Sequence, residues 1–192
     1  MIRISTIFIG FVLLLPSCTT TKFSLWDTQS NPISNKVTNI LIVGIGSTTS
    51  RIFLESLGLT LTKKLKSTGI KSEYQYLGSD NEIAKENFNA LKKNGFEAIL
   101  IFTPENTSFF EVSTNRELNS LNTGQGSLPY YSNSTSITYA QNFFLRLYLL
   151  ENKNKPIWDA KLTLDFNLTK SSVYKSISDK ILERLKDNNY IQ

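Results

Sequence analysis

One short segment combines the residue types that bind anions in proteins. The segment Gly44–Arg51, with the sequence GIGSTTSR, lies where an apolar run ends and a helical pattern begins. Free amides at a helix N-terminus, hydroxyl groups and a guanidinium can together hold a phosphate or a carboxylate. The candidate anion-binding residues are therefore Gly46, Ser47, Thr48 and Arg51. The alternative is that these residues only shape a turn between a strand and a helix.

Composition excludes several other chemistries. The chain contains no histidine and a single cysteine, Cys18, which rules out a Ser-His-Asp triad, a Cys-His dyad, His-ligated zinc and an internal disulfide. The segment Gly44–Arg51 lacks the third glycine of a dinucleotide fingerprint and the Gly-Lys-Ser/Thr ending of a P-loop. We expect no catalytic residue, no metal site and no dissociable cofactor.

The first residues are typical of a secretory signal peptide. Arg3 precedes an apolar run over residues 7–15, and the small residue Ser17 stands directly before Cys18. The run is shorter than the roughly 18 residues that a membrane-spanning helix needs. A buried N-terminal element of the folded domain is the alternative. We predict a signal peptide at residues 1–17.

The sequence Leu15-Pro16-Ser17-Cys18 resembles the lipobox of bacterial lipoproteins. The resemblance implies that diacylglycerol is attached to the Cys18 thiol, that residues 1–17 are removed and that the new amino group is acylated. Two or three acyl chains anchor a protein firmly where one is marginal. Thr19 follows the cysteine where inner-membrane lipoproteins of enteric bacteria carry aspartate, which implies an outer-membrane protein that faces the periplasm.

The remaining sequence predicts an α/β fold on the border with α+β. Apolar runs such as residues 39–45 and 96–102 suit covered strands, whereas apolar residues at helical spacing follow Ser47 up to Gly69. The predicted order is β-α-β-α-β, a long loop, then β-β-α, which gives a single mixed sheet of about five strands with about three helices. Trp158 alternates with apolar neighbours and is expected in the core.

Two polar segments flank or interrupt this pattern. Residues 18–38 are predicted to be the lipidated cysteine and a flexible tether, so that residues 39–192 form the single domain. The tether contains three apolar residues that either lie at the lipid interface or dock on the domain: Phe23, Leu25 and Trp26. A long polar loop is predicted at about residues 103–137, and loops of this length are usually functional or disordered. Its aromatic residues either contact a partner or pin the loop onto the domain; they are Phe109, Phe110, Tyr130 and Tyr131.

Short motifs in this domain resemble a loose group of small bacterial envelope lipoproteins. They are the first strand Ile-Leu-Ile-Val-Gly-Ile with Arg51 soon after it, the Gly95–Ala98 entry to the third strand, the Tyr130-Tyr131 pair, and residues 147–161 with their charged turn and tryptophan. Wider relatives of similar layout include the amino-terminal domain of the TolB translocation protein, lipoprotein activators of penicillin-binding proteins and the curli secretion lipoprotein. The resemblance implies a binding or assembly module.

The expected function is therefore that of a membrane-anchored binding or assembly module of the cell envelope. Its expected partner is an envelope protein or a cell-wall polymer. A net charge of +5 spread along the chain is too small an excess to predict nucleic-acid binding. The alternative is an enzyme or small-ligand binder that uses Gly44–Arg51 to hold an anionic substrate.

Overall fold

The computed structural model describes residues 22–79, 81–91, 95–123, 126–151, 155–167 and 172–192. The predicted signal peptide and Cys18 lie outside the described residues. The elements in chain order are β1 (Lys22–Ser30), β2 (Asn39–Ile45), α1 (Thr48–Ser67), β3 (Lys71–Gly78), α2 (Asn81–Ala90), β4 (Ala98–Thr123), β5 (Gly126–Leu149), β6 (Trp158–Asn167) and α3 (Ser172–Asp187). Among the described residues, no helix is both long enough and apolar enough to cross a bilayer.

All the strands belong to one mixed sheet, which confirms the predicted α/β class. The strand order is β1-β6-β5-β4-β2-β3. β2 runs parallel to both β3 and β4, as expected for two consecutive strand–helix–strand units. β4, β5, β6 and β1 are joined by antiparallel pairs. The sheet has six strands, one more than the sequence predicted.

The additional strand is β1, and it corrects the prediction of a flexible tether over residues 18–38. β1 pairs antiparallel with β6, and Leu25 lies opposite Leu162. Leu25 is only 4% exposed, because alternate side chains of a strand point to opposite faces and this one points into the core. Val37 is also buried, and its amide donates to the carbonyl of Tyr190 at 2.8 Å. The folded unit therefore begins before the predicted boundary at residue 39.

Residues 103–123 and 126–137 are extended strands, which corrects the prediction of a long loop at about residues 103–137. β4 and β5 pair antiparallel from Ala98↔Leu149 to Thr123↔Gly126, with one irregularity between Pro104 and Ser108. Serine, threonine and asparagine dominate this region, so the alternation of apolar and polar residues that predicts strands is missing.

Most of the core lies between one face of the sheet and the helices α1 and α3. It contains Trp158, which is fully buried as expected, and the apolar stripe of α1 from Phe53 to Leu65. Gly69 follows α1 with a φ of 85°, a conformation that favours glycine. The opposite face carries a smaller cluster, in which Ala84 of α2 and Leu91, directly after that helix, pack against β2, β3 and β4. The two faces of the sheet are thus covered unequally.

Candidate functional site

The predicted anion-binding turn lies at the C-terminal end of β2, where the chain enters α1. Ser47 is the N-cap of α1, and its hydroxyl accepts from the amide of Ser50 at 3.4 Å. The amide of Gly46 donates to the carbonyl of Gly78 at 3.0 Å. Thr48 is exposed at the first position of the helix. The turn therefore forms as predicted, but the Gly46 amide and the Ser47 hydroxyl already have partners within the chain.

Arg51 is also engaged by neighbouring side chains. Its Nε lies 2.8 Å from Oε1 of Glu55, one helical turn further along α1. The hydrogen bond and the charge of Glu55 raise the pKa of Arg51. Its guanidinium carbon lies 5.0 Å from the centre of the Tyr76 ring, and the Tyr76 hydroxyl donates to the carbonyl of Gly46. The structure brings Gly46, Ser47 and Arg51 together, but in an arrangement that partly neutralises the positive charge.

Behind this turn, Tyr74 fills a slot between two glycines. A Cβ atom on Gly44 would lie 2.5 Å from the Tyr74 hydroxyl, and one on Gly58 would lie 2.1 Å from Cδ2 of the ring. The hydroxyl is buried and has no hydrogen-bond partner among the described residues. Burial raises the pKa of Tyr74 well above the ordinary tyrosine value. The slot is filled by the protein's own side chain, so it offers no space for a ligand.

A second candidate surface, the open face, lies on the side of the sheet away from α1 and α3. Register places Trp26 of β1 opposite Lys161 of β6, and Lys161 opposite Phe144 of β5. Trp26 is 60% exposed and its neighbours on this face are half-buried. We define the open face by six of the side chains that share this orientation: Trp26, Phe144, Arg146, Tyr148, Asp159 and Lys161. Within the described residues, none of these side chains belongs to a buried hydrophobic cluster of the sheet.

Charges on the open face occur in cross-strand pairs. Nε of Arg146 lies 3.1 Å from a carboxylate oxygen of Asp159, and Nζ of Lys161 lies 2.9 Å from Oε2 of Glu105. Hydrogen bonds from Lys161 and Asn142 lower the pKa of Glu105.

The same two cations also approach an aromatic ring. The guanidinium of Arg146 and the ammonium of Lys161 lie 5.1 and 5.9 Å from the centre of the Phe144 ring. The open face is consequently a nearly neutral, aromatic and hydrogen-bonding surface.

Two hollows lie near the open face and at one end of the sheet. A small apolar hollow of about 100 Å³ separates α2 from the open face and is lined by Phe88, Ile99, Ile101, Tyr148 and Leu150. A larger hollow of about 640 Å³ lies where β4 begins and β5 ends, against the segment 32–37. Glu97 lines this hollow, and its carboxylate accepts from the amide of Thr38 at 2.6 Å. The described residues contain no group of acidic or cysteine side chains that could hold a metal ion.

The aromatic residues predicted for partner contact occupy two separate positions along β4 and β5. Phe109 and Phe110 lie opposite Ala140 and Tyr139. Tyr130 and Tyr131 lie opposite Asn119 and Leu118, so the two pairs are separated by about 27 Å along the strands. They do not form a single cluster. The sequence does not predict the open face, because it places Trp26 in the tether without indicating a strand there that would pair with β6.

No family model and no curated protein matches the chain. Among solved structures, the chain is similar to the PelC dodecamer from Paraburkholderia phytofirmans, with 13% identity, a TM-score of 0.47, and coverage of 89% of this chain and 100% of that chain. It is also similar to a PDZ domain protein from Parabacteroides distasonis, with 10% identity, a TM-score of 0.33, and coverage of 92% of this chain and 38% of that one. Likenesses at this level carry no information on function.

Proposed function

We propose that this protein is a lipid-anchored lipoprotein of the bacterial envelope that acts as a binding or assembly module. In this proposal residues 1–17 are removed on export, Cys18 carries the lipid, and the domain faces the periplasm from the outer membrane. The proposal assigns no catalytic residue. The basis for the anchor is the position of the only cysteine directly after a short apolar run and a small residue.

The open face is the observation that carries the binding role. A solvated face is common in antiparallel sheets, and such a face normally carries polar side chains. Here an exposed tryptophan and two half-buried aromatic rings, Phe144 and Tyr148, lie among paired charges. Aromatic side chains bury a large area at a low cost in conformational entropy, and they are enriched at protein interfaces. We assign the partner contact to this face.

The alternative of a small anionic ligand at Gly44–Arg51 has less support. An anion would compete with Glu55 for Arg51, and the hydroxyl of Ser47 already caps the helix. A carboxylate beside the arginine also repels an incoming anion. These contacts favour the reading of this segment as a structural turn.

The anchor is tested by the intact mass of the protein isolated from bacterial membranes, for the wild type and for Cys18→Ser. We expect a wild-type mass that lacks residues 1–17 and is increased by acyl chains. The Cys18→Ser protein should be uncleaved or should leave the membrane fraction. An unmodified thiol on a protein that fractionates with the cytosol would overturn the anchor and the proposed location.

The contact surface is tested by photo-crosslinking in intact cells. A photoreactive amino acid is placed at Trp26 or Gln29 beside the open face, and at Ser176 or Lys180 on the exposed side of α3 as matched controls. We expect a discrete crosslinked product only from the first pair of positions. Equal products from both pairs, or none from either, would remove the open face as the contact surface.

A further inference from the structure

The outer parts of β4 and β5 form a two-stranded ribbon that extends beyond the sheet. β6 pairs with β5 only as far as Thr138↔Asn167, and β2 pairs with β4 only as far as Gly44↔Phe102. β4 and β5 continue to pair with each other for twelve further residues on each strand, from Val112↔Ile137 to Thr123↔Gly126. We call residues 112–123 and 126–137 the ribbon. At the usual rise of a strand it is about 40 Å long.

The ribbon has no third strand within the described residues. Two-stranded hairpins are only marginally stable in water, and most strands in globular proteins have about 3–10 residues. β4 and β5 have 26 and 24 residues. The outer edge of each ribbon strand presents backbone N–H and C=O groups that can pair with another strand. The ribbon therefore has two backbone edges available for pairing.

The composition of the ribbon does little to protect these edges. Proteins usually guard an edge strand with lysine, proline or inward-pointing charges. Between residues 112 and 137 the only charged residues are Arg116 and Glu117, and Pro129 is the only proline. Arg116 and Glu117 are both on β4, and the β5 strand of the ribbon carries no charged residue.

We propose that the ribbon pairs edge to edge with the ribbon of a second copy of this chain. In this arrangement the outer edge of β4 in one copy meets the outer edge of β5 in the next. Because only β4 carries charge, this pairing places no like charges opposite each other, a juxtaposition that destabilises sheets. Pairing the β4 edge of one copy with the β5 edge of the next also gives both free edges of every ribbon a partner through one repeated contact. Because this contact is head-to-tail, each copy can bind a further copy. The resulting assembly either closes as a ring or grows as an open filament. The proposal does not depend on the lipid anchor or on the open face.

The first test uses the detergent-solubilised full-length protein over a range of concentrations. Sedimentation velocity measures the size of the assembly, and amide hydrogen exchange measures protection in residues 112–137. Since association follows mass action, we expect protection of the ribbon amides to rise about tenfold for a tenfold increase in concentration until the assembly saturates. Protection of strands such as β2 and β6 should not change. A monomer at all concentrations, or ribbon protection that is independent of concentration, would overturn the proposal.

Two variants locate the contact. In the first, an Asn-Gly turn replaces residues 112–137 and joins Glu111 to Thr138, a two-residue connection that suits a hairpin. This variant should be monomeric and should still unfold cooperatively. The second, Ser113→Lys with Ser127→Lys, places one lysine on each ribbon strand and should weaken association by about tenfold.

The matched control is Ser176→Lys with Gln192→Lys, which adds the same charge at exposed positions outside the ribbon and should associate like the wild type. Association of the ribbon-deleted variant at wild-type strength would place the contact elsewhere and refute the proposal. Equal weakening of the lysine variant and its control would likewise remove the evidence for pairing through the ribbon.

Discussion

The ring of Tyr74 occupies the space that a side chain on Gly58 would need. A Cβ atom on Gly58 would lie 2.1 Å from Cδ2 and 2.4 Å from Cε2 of the ring. Gly58 lies in the middle of α1, where glycine usually destabilises a helix. The close approach of Tyr74 from β3 explains why a residue without a side chain stands there. It also fixes how α1 packs on the parallel part of the sheet.

The first prediction follows from this contact. At a solvent-exposed position inside a helix, replacing glycine with alanine raises the free energy of unfolding by about 1 kcal/mol, because alanine has the higher helix propensity. Here we expect Gly58→Ala to lower the free energy of unfolding by about 1–3 kcal/mol, because the added methyl group displaces Tyr74. Urea-induced unfolding measures the change. In a Tyr74→Ala background the same substitution should be neutral or stabilising, and a loss of equal size in both backgrounds would contradict the steric explanation.

The second prediction compares two buried tyrosine hydroxyls. The Tyr74 hydroxyl has no hydrogen-bond partner among the described residues, whereas the Tyr190 hydroxyl donates to the carbonyl of Ile157 at 2.8 Å. We expect Tyr74→Phe to be neutral or stabilising, and Tyr190→Phe to cost about 1–2 kcal/mol, since it leaves buried groups without a partner. Urea-induced unfolding of both variants at neutral pH measures the difference. A Tyr74→Phe variant that is less stable than Tyr190→Phe would show that the Tyr74 hydroxyl is paired.

The third prediction concerns stability at alkaline pH. Burial raises the pKa of Tyr74 above the value of about 10 that it has in the unfolded chain. Above that pH the unfolded chain loses the proton first, so it binds fewer protons than the folded chain and the free energy of unfolding falls as pH rises. We expect Tyr74→Phe to have a shallower decline between pH 10 and 12 than the wild type. Identical slopes for the two proteins would mean that Tyr74 does not titrate differently on folding.

Sequence reasoning found the part of the fold that is buried on both faces. β2 is a continuous apolar run because helices cover both sides of it, and α1 shows helical spacing that ends at Gly69. β1 could not be predicted because, among the side chains of residues 23–30, Leu25 alone is buried and the segment is otherwise largely polar. The ribbon could not be predicted because serine, threonine and asparagine dominate its sequence, so it lacks the alternation of apolar and polar residues that indicates a strand.

In the candidate sites, contacts within one helix could be predicted from the sequence, whereas contacts between strands could not. Ser47 and Arg51 are close in sequence, and Glu55 follows Arg51 at the spacing of one helical turn. The sequence alone therefore predicts that these three residues lie near one another. The contact of Arg51 with Tyr76 depends on the register of β2 with β3, in which Gly44 lies opposite Tyr76. The open face depends on strand order, since β5 lies beside β6 and β1 adds Trp26 at the edge of the face. No local pattern specifies that order.

The last prediction tests whether β1 is part of the folded domain. Leu25 is 4% exposed and lies opposite Leu162, whereas its neighbour Trp26 is 60% exposed on the open face. We expect Leu25→Ala to lower the free energy of unfolding by about 2–5 kcal/mol, as other buried leucine truncations do. Trp26→Ala removes a larger side chain but should cost less than about 1 kcal/mol, because that side chain is mostly in solvent. Chemical unfolding of both variants measures the contrast. If residues 22–30 were a flexible tether, both substitutions would leave stability unchanged, so a neutral Leu25→Ala would remove β1 from the domain and with it the edge of the open face.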